Sequence, residues 1–473
     1  MLTTAIDTQA AVAWYRRNRA RTDRLFDLIA PEAYYTRPIA LRNPIVFYEG
    51  HLPAFSVIAF LRRGLGLPPV DARLERLFER GIDPESTDAA VPRSGASTVW
   101  PSRDEVRGFA RACDAAVLAA LQSMPSTPEA IEGLYTALEH EAMHQETLLY
   151  MWHRLPYELK VLPAEAGSHL QLESSFRRLP PSGGRSEIPG GRSEVAAGPA
   201  VLGADPAAVP FGWDNEFDQH TVHVDAFDVD VLPVTNAQFL EFIADDGYGR
   251  RELWSDEGWE WIQAERVQHP AFWLLGSSDV GPRTSDVGSR TSDVGPRTSD
   301  VGLRTSDVGL RTSDVGQWRW RAMFDSEPLP PDWPVYVSQA EASAYARWKG
   351  RRLMTEAEWH RAAEGATPGH VDFAGFEPIP VGSHPQTASV WGVYELIGNG
   401  WEWTSTVFAP FAGFAPMRSY PEYSADFFDG RHYVMKGGSP ATAIELTRPS
   451  FRNWFRGNYP YVYAKFRTAT GLR

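Results

Sequence analysis

Two histidines at a helical spacing are the residues best suited to do chemistry in this chain. His140 and His144 are four positions apart in LEHEAMHQETLLYMWH, residues 138–153. On a helix this spacing places both imidazoles on one face, about one turn apart. Apolar neighbours such as Met143 and Leu148 indicate a core helix of the kind that presents ligands inside a bundle. We therefore predict that the pair binds a metal ion.

A third ligand must come from elsewhere, and two choices are open. His51, in NPIVFYEGHLPAFSVIAFL, is predicted at the start of a second apolar helix. Three imidazoles with open coordination positions would suit iron(II) or zinc. The other choice is Glu146, which would complete a set of two histidines and one carboxylate. If His51 is the ligand, Glu146 is expected outside the ligand set, where it would fix the tautomer of an imidazole.

Other metal chemistry is less consistent with the sequence. HEAMH formally fits the HExxH motif of metalloproteases, in which Glu141 would be the general base. No further metzincin ligand or Gly-rich continuation follows, so a protease is the minor alternative. The single cysteine, Cys113, excludes zinc bound by several thiolates. Cys113 lies in the amphipathic pattern FARACDAAVLAAL, which predicts a buried structural thiol.

The ligands would be positioned by four helices in the first part of the chain. Asp104-Glu105 and Pro128-Glu129 are typical of helix starts. Four segments of this kind predict a four-helix bundle over residues 1–165. Apolar residues recur at spacings of three and four in residues 7–29, 52–65, 104–123 and 127–153.

Two low-complexity segments divide the rest of the chain. Residues 166–198 contain PPSGGRSEIPGGRSEVAAGP and are predicted to be a linker without a packed core. Residues 277–316 repeat TSDVG and are predicted to be a disordered expansion of a surface loop. Their flanks, HPAFWLL and QWRWRAMF, are typical of two strands of one hairpin.

An α+β domain is predicted over residues 199–473. Strand-like runs occur in HTVHVDAFDVDVLPVT, PVYVS, YVMKGGS and YAKFRTA. The stretches TNAQFLEFIADDG and QAEASAYARWKG have helical patterns. The chain as a whole is therefore expected to be an α+β protein of two domains.

Charge and hydropathy limit the partners. A net charge of -14 and a pI of about 5.4 argue against binding to nucleic acid or to an anionic membrane. The N-terminus has no signal-like segment, and no apolar run is judged long enough for a membrane span. A cytoplasmic protein acting on small molecules is expected, and the sequence indicates no oligomeric state.

Several motifs, in one order along nearly the whole chain, resemble those of EgtB-type hercynine oxygenases, the sulfoxide synthases of ergothioneine biosynthesis. In the N-terminal part they are EGHLPAF, VWPSRDEV and HEAMHQETLLYM. This part is similar to a DinB-type four-helix bundle. The C-terminal part resembles the formylglycine-generating-enzyme domain, a C-type-lectin-like fold. Its motifs are FGWDNEF, PVTNAQFLEFI, GRRLMTEAEWHRAA, LIGNGWEWTST, VMKGGSPAT and RPSFRNWF.

The resemblance implies a non-haem iron enzyme. Iron(II) would be held by His51, His140 and His144 where the two domains meet. With O2 as co-substrate, the enzyme would join a thiol sulfur to an imidazole carbon of hercynine (Nα-trimethylhistidine) and oxidise the sulfur to the sulfoxide. The same resemblance favours His51 over Glu146 as the third ligand.

Substrate contacts also follow from the resemblance. Trp454, with Asn453 beside it, matches the position that binds the trimethylammonium group, and aromatic faces attract such cations. The WPSR segment supplies Arg103, which would bind a carboxylate of the sulfur donor. The nearby Arg107 is assigned the same role, and a solvated helix face is the alternative for it.

A tyrosine is expected as the proton donor. The YPEY segment offers Tyr420 and Tyr423. Of the two, Tyr420 is favoured.

Two positions depart from the family pattern. Phe455 stands where members that use γ-glutamylcysteine carry an acidic residue, and Met143 stands where some members carry Gln. Cysteine is therefore favoured over γ-glutamylcysteine as the donor. A selenosugar, as in selenoneine synthases, is one alternative, and a non-catalytic lectin-like binding protein is another. A structural Ca2+ in the second domain is also considered, without assigned ligands.

Overall fold

The protein is described by a computed structural model that covers residues 7–79, 99–163, 190–276 and 318–472. The TSDVG repeat and most of the predicted linker lie outside the described residues. The described N-terminal part is helical, and the described C-terminal part mixes helices with short strands. This arrangement matches the predicted order of a bundle followed by an α+β domain.

In residues 7–79 and 99–163, the N-terminal part forms four long α-helices and one short one. Capping residues mark several starts, because Asp7, Ser102 and Thr127 accept hydrogen bonds from backbone N–H groups of the first turn. Pro128 occupies the first position of the last helix, where its missing N–H costs nothing. The helices are α1 (Thr8–Phe26), α2 (Ile45–Ser56), α3 (Ala72–Phe78), α4 (Arg103–Leu121) and α5 (Pro128–Arg154).

Helix α2 begins seven residues before the predicted start at residue 52. It continues into a π-helical segment, Val57–Gly64, and His51 lies in its second turn. Every residue from Ile45 to Ser56 is buried, so no amphipathic period marks the start of the helix. Pro53 lies inside the helix, although a proline is more typical of the first turn.

The sequence analysis expected no apolar run long enough to span a membrane. This was wrong, because one helical segment has the length and the apolar composition of a membrane span. Ile45–Gly64 passes both criteria, and 94% of its apolar window is buried inside the protein. Its apolar surface is covered by neighbouring protein, as expected for a core helix.

The described residues of the C-terminal part form four small sheets, with strand orders β1-β4-β12, β10-β9-β8-β11, β2-β3 and β5-β6-β7. The strands are β1 (Arg192–Val195), β2 (Gly198–Leu202), β3 (His220–Val224), β4 (Phe227–Asp230), β5 (Trp273–Leu275), β6 (Trp318–Arg321), β7 (Ser326–Pro328), β8 (Trp401–Val407), β9 (His432–Lys436), β10 (Asn453–Arg456), β11 (Ala464–Lys465) and β12 (Ala469–Gly471). The helices are α6 (Asn236–Ala244), α7 (Asp256–Ala264), α8 (Gln339–Trp348) and α9 (Glu356–Ala362).

Three predictions about strands can be compared with these bounds. Strands β5 and β6 pair antiparallel on either side of the insertion, so the predicted hairpin is confirmed. Strand β1 lies inside the predicted linker and pairs with β4. The sequence analysis missed this short strand because its flanks are rich in Gly and Ser. The run PVYVS forms one isolated bridge, at Pro334, and no strand.

Helix α5 also contacts the second domain, through an ion cluster. Arg448 donates to both carboxylate oxygens of Glu139 at 2.8 and 2.9 Å. It donates to both oxygens of Glu216 at 2.6 and 2.9 Å. Burial raises the pKa of Glu139 to about 7 despite the guanidinium. Burial also opposes ionisation of Glu216, but Arg448, Ser450 and the backbone of Trp213 together lower its pKa.

Candidate metal centre

Three histidines from two helices converge inside the bundle. His51 comes from α2, and His140 and His144 come from α5. One ligand nitrogen of each lies within 4.8 Å of the others. The ring centroids are 4.4 Å apart for the α5 pair, and 5.0 and 5.1 Å from His51 to His140 and His144. The structure thus brings together the three residues that the sequence analysis grouped.

The backbone fixes the tautomer of His51. Its Nδ1 lies 2.6 Å from the carbonyl oxygen of Phe78. A carbonyl oxygen only accepts, so Nδ1 carries the proton and donates it. This leaves Nε2 unprotonated, which is the form that binds metals, and holds the ring in one orientation. Burial lowers the pKa of His51 to about 4, so the ring is neutral at pH 7.

The two histidines of α5 are also held in the neutral form. Burial, followed by the neighbouring imidazoles, lowers the pKa of His140 well below its ordinary value. Burial, followed by His51 and Arg42, does the same for His144. The ring of His140 stacks on Phe55 with centroids 3.5 Å apart and planes within 10°. All three rings therefore present lone pairs rather than charges.

The unpaired nitrogens of this cluster fit a metal ion. Nε2 of His51, both ring nitrogens of His140 and Nδ1 of His144 are buried without a hydrogen-bond partner. Buried polar atoms without partners are costly, and a bound cation would satisfy one nitrogen of each ring. Neutral imidazoles are suitable ligands for iron(II) or zinc. Across residues 7–79, 99–163, 190–276 and 318–472, no second such group of His, Cys, Asp or Glu was found, so the Ca2+ prediction gains no ligand set.

Comparisons with known proteins cover both domains. Residues 15–148 match the DinB superfamily. Residues 183–373 and 371–472 match the sulfatase-modifying factor enzyme 1-like domain. The predicted fold class, a DinB-like bundle followed by a formylglycine-generating-enzyme-like domain, is therefore confirmed.

Several relatives match this chain over more than nine-tenths of its length. The hercynine oxygenase of Mycolicibacterium thermoresistibile is 31% identical over 95% of this chain and 92% of its own length. The chain belongs to the hercynine oxygenase family. The enzyme of that name from Mycobacterium tuberculosis is 31% identical over 96% of both chains. Ergothioneine biosynthesis protein 1 of Schizosaccharomyces pombe is 26% identical over 92% of this chain and 53% of its own length. The prediction of an enzyme is confirmed, and the non-catalytic lectin-like alternative is not supported.

In this hercynine oxygenase homologue, the two candidate tyrosines lie beside the cluster in different settings. The ring of Tyr420 is 4.9 Å from Phe55 and 5.8 Å from His140. Tyr423 is buried, stacks on Trp213 at 4.0 Å and directs its hydroxyl to the sulfur of Met143 at 3.4 Å. Tyr420 is thus the tyrosine whose ring contacts both a cluster histidine and the phenylalanine that stacks on it.

Trp454 continues this row of rings away from the cluster. Its centroid is 5.0 Å from Tyr423, which is 5.7 Å from Tyr420. Trp454 also stacks on Phe408 at 4.3 Å. The side-chain oxygen of Asn453 accepts a hydrogen bond from the backbone N–H of Trp454. The structure therefore places the predicted trimethylammonium position and the predicted proton donors along one aromatic wall.

Arg103 and Arg107 are not brought to the cluster. Their Nε atoms lie 3.2 and 3.3 Å from the carboxylate of Glu49. Glu49 precedes His51 by two positions, which is about 200° around a helix. The arginines thus lie on the side of α2 opposite His51, and their contacts do not support the predicted binding of a donor carboxylate.

The role predicted for Glu146 was wrong. Its carboxylate accepts hydrogen bonds from Trp401 (2.8 Å), Ser439 (2.7 Å) and Thr442 (2.7 Å), all in the second domain. Glu146 follows His144 by two positions, so it points away from the cluster, toward that domain. It is neither a ligand nor the partner of an imidazole.

Replacing Glu146 tests this correction. For Glu146→Gln we expect a loss of stability of about 1–3 kcal/mol, because the substitution removes charge-assisted hydrogen bonds between the domains. Metal affinity should change less than about threefold, because Glu146 does not contact the imidazoles. Loss of a residue that hydrogen-bonds a metal ligand typically lowers metal affinity by about 10–100-fold. Thermal unfolding and competition with a metal chelator would measure the two effects. A tenfold weaker metal affinity would contradict the interdomain role.

The contacts of Glu141 argue against the metalloprotease alternative, in which Glu141 would be the general base. One oxygen of Glu141 accepts hydrogen bonds from Arg19 (2.8 Å) and Thr22 (2.6 Å) on α1. Burial raises the pKa of this carboxyl even so. Glu141 therefore ties α5 to α1, which is a structural role.

Sequence reasoning missed residues that shape the cluster, among them Phe55 and Phe78. Phe55 follows His51 by four positions, so the helical period alone could have identified it as a neighbour. No sequence signal identifies Phe78, whose contribution is a backbone carbonyl on a different helix.

Proposed function

We propose that this protein is a sulfoxide synthase that uses O2 and iron(II) to join a thiol donor to hercynine, with His51, His140 and His144 as the metal ligands. The observation that carries the proposal is the convergence of buried, unpaired, neutral imidazole nitrogens in a member of the hercynine oxygenase family. Neutral imidazoles leave coordination positions open for small molecules. The thiol, hercynine and O2 are the small-molecule partners.

The proposed reaction balances with O2 as the only oxidant. The thiol RSH, the imidazole C–H of hercynine and O2 give the C–S(=O)–R product and one water. Loss of the S–H and C–H hydrogens and formation of the S=O bond together release four electrons, and O2 accepts all four. When bound, iron supplies the redox chemistry for this transfer.

The chain's own residues would bind hercynine and move a proton. Trp454, which is half-buried with one face stacked on Phe408, would contact the trimethylammonium group, because such groups favour aromatic walls. The imidazole of hercynine would then lie toward Tyr420 and the cluster. The phenol of Tyr420 is the proposed proton donor, because its ring lies beside both His140 and Phe55.

Position 455 bears on the identity of the donor. The ring of Phe455 stacks on Tyr459 at 5.0 Å, and the guanidinium of Arg42 lies 5.8 Å from its centroid. This position therefore offers no carboxylate to the distant ammonium of γ-glutamylcysteine. We propose cysteine as the donor, and a selenosugar, which needs no such partner, as the alternative.

The test is a set of single-donor assays. Anaerobically purified, iron(II)-loaded protein is given hercynine and O2 with cysteine, γ-glutamylcysteine or a selenosugar, and O2 uptake and product mass are recorded. We expect the hercynine–cysteine sulfoxide, with one O2 consumed per product. The same protein loaded with zinc should form none, because zinc has no redox chemistry.

Each outcome decides a part of the proposal. Turnover with the selenosugar alone would replace the donor and keep the reaction type. Turnover with γ-glutamylcysteine alone would contradict the argument from Phe455. Iron that is bound by the histidines without any hercynine-dependent O2 uptake would overturn the function.

A further inference from the structure

The segment that carries both tyrosines is fastened at two places. We call residues 417–424 the tyrosine loop. One fastening lies inside the second domain, where Asp214 accepts hydrogen bonds from the hydroxyl of Ser424 and the backbone of Met417. The other fastening joins the loop to the helical bundle, mainly through hydrogen bonds of the buried Ser419.

Ser419 uses all its polar groups on the bundle. Its backbone N–H and its Oγ each lie 2.8 Å from Oε1 of Glu132. Its Oγ lies 2.8 Å from Oγ1 of Thr136, and its carbonyl accepts from Arg63 at 2.8 Å. Ser419 is only 3% exposed, so these bonds are shielded from water and hold more firmly than surface contacts.

The partners of Ser419 share a helix stripe with the metal ligands. Glu132, Thr136, His140 and His144 follow one another at intervals of four on α5, so they lie along one side of the helix. The stripe that carries two histidines of the cluster therefore also carries the groups that hold the loop. Tyr420 is the next residue after Ser419, and its ring lies beside His140.

We propose that Ser419 is a positioning residue, which sets the distance of Tyr420 from the histidine cluster by anchoring the tyrosine loop to Glu132 and Thr136. The inference rests on the proposed function, in which Tyr420 donates a proton. A proton donor must sit within hydrogen-bond reach of its acceptor, and small displacements are costly in rate. The Asp214 fastening holds the loop to its own domain, whereas the Ser419 fastening ties the backbone next to Tyr420 to the helix that carries His140.

The neighbouring residue provides a matched control. Arg418 also pairs with α5, through Glu129 at 2.9 Å, but its side chain is 79% exposed. Exposed ion pairs contribute little. Arg418→Ala therefore removes an interdomain contact of the same loop without disturbing the buried anchor.

The experiment compares Ser419→Ala, Thr136→Val and Arg418→Ala in the iron-loaded full chain. For the first two we expect kcat to fall about tenfold, which is only part of the roughly 100-fold or more that general acid catalysis supplies, because Tyr420 is displaced and not removed. KM for hercynine should be nearly unchanged. O2 consumed per product should rise above one, because a misplaced donor leaves O2 reduction uncoupled. Metal affinity should stay the same, and Arg418→Ala should match the wild type in all four quantities.

A second readout does not depend on activity. Trypsin cuts after Arg418, inside the loop, and Ser419→Ala and Thr136→Val should accelerate this cut severalfold without changing cleavage elsewhere. Thr136→Val keeps the shape of the side chain, so it remains informative if Ser419→Ala folds poorly. Unchanged cleavage in both variants, or unchanged kcat and O2 coupling, would overturn the inference. An inactive wild type would instead refute the proposed function, and the cleavage rates would still decide whether Ser419 anchors the loop.

Discussion

His140→Ala is expected to abolish metal binding and activity together while leaving the metal-free protein folded. The substitution removes the middle imidazole of the cluster, whose ring lies 4.4 and 5.0 Å from the other two. Two imidazoles cannot replace a three-histidine site, so we expect metal affinity to fall by more than about 100-fold, beyond the cost of losing an outer partner. Turnover should fall at least as far.

The stability of the same variant should separate metal binding from core packing. A ligand present at about 100 times its dissociation constant stabilises the folded state by about 2.7 kcal/mol. We therefore expect iron(II) or zinc to raise the melting temperature of the wild type and to leave that of His140→Ala unchanged. The metal-free variant should lose only ring packing, chiefly on Phe55, because neither nitrogen of His140 has a hydrogen-bond partner to lose.

His153 is the matched control for this substitution. It lies on the same helix and is 1% exposed. Its Nδ1 is paired with the hydroxyl of Tyr463 at 2.7 Å, and its Nε2 lies 3.4 Å from Glu377. His153→Ala should therefore cost about 1–3 kcal/mol through lost hydrogen bonds and keep the metal. Metal bound with unchanged affinity by His140→Ala, measured by chelator competition, would contradict the assignment of the cluster.

Arg448→Met is expected to cause the largest loss of stability among the domain contacts. The guanidinium is the shared partner of Glu139 and Glu216, which are 4% and 0% exposed. Without it, two carboxylates remain buried without their cation. Breaking a buried ion pair in this way typically costs 3–5 kcal/mol, because the remaining charge is uncompensated. Thermal or urea unfolding followed by tryptophan fluorescence would measure the loss.

A rescue variant distinguishes the charge effect from a packing effect. Adding Glu139→Gln and Glu216→Gln to Arg448→Met removes both unpaired charges and keeps the side-chain shapes. We expect part of the lost stability to return, since replacing all members of a buried ion cluster is often close to neutral. Arg418→Ala, at an exposed pair, should change stability by less than about 1 kcal/mol. A triple variant no more stable than Arg448→Met would show that the arginine acts through packing.

The local pattern of the sequence was sufficient to predict that the two histidines of α5 lie on one face of a helix. An interval of four places His140 and His144 on one face of any helix, and the capping residues and apolar spacing indicate the helix. The motifs likewise indicated both domains and the third histidine. The start of α2 could not be read in the same way, because residues buried on every side have no periodic pattern.

Only the tertiary structure decided which segments contact the other faces of α5 and of α2. Glu146 lies two positions after His144, and the sequence does not show that this face meets Ser439, nearly three hundred residues away. The sequence likewise does not show that Arg103 donates a hydrogen bond to Glu49, on the side of α2 opposite His51. Nor does it show that the carbonyl of Phe78 fixes the tautomer of His51. The helical period determines which residues share a stripe, whereas the partner of each stripe depends on contacts between segments far apart in the chain.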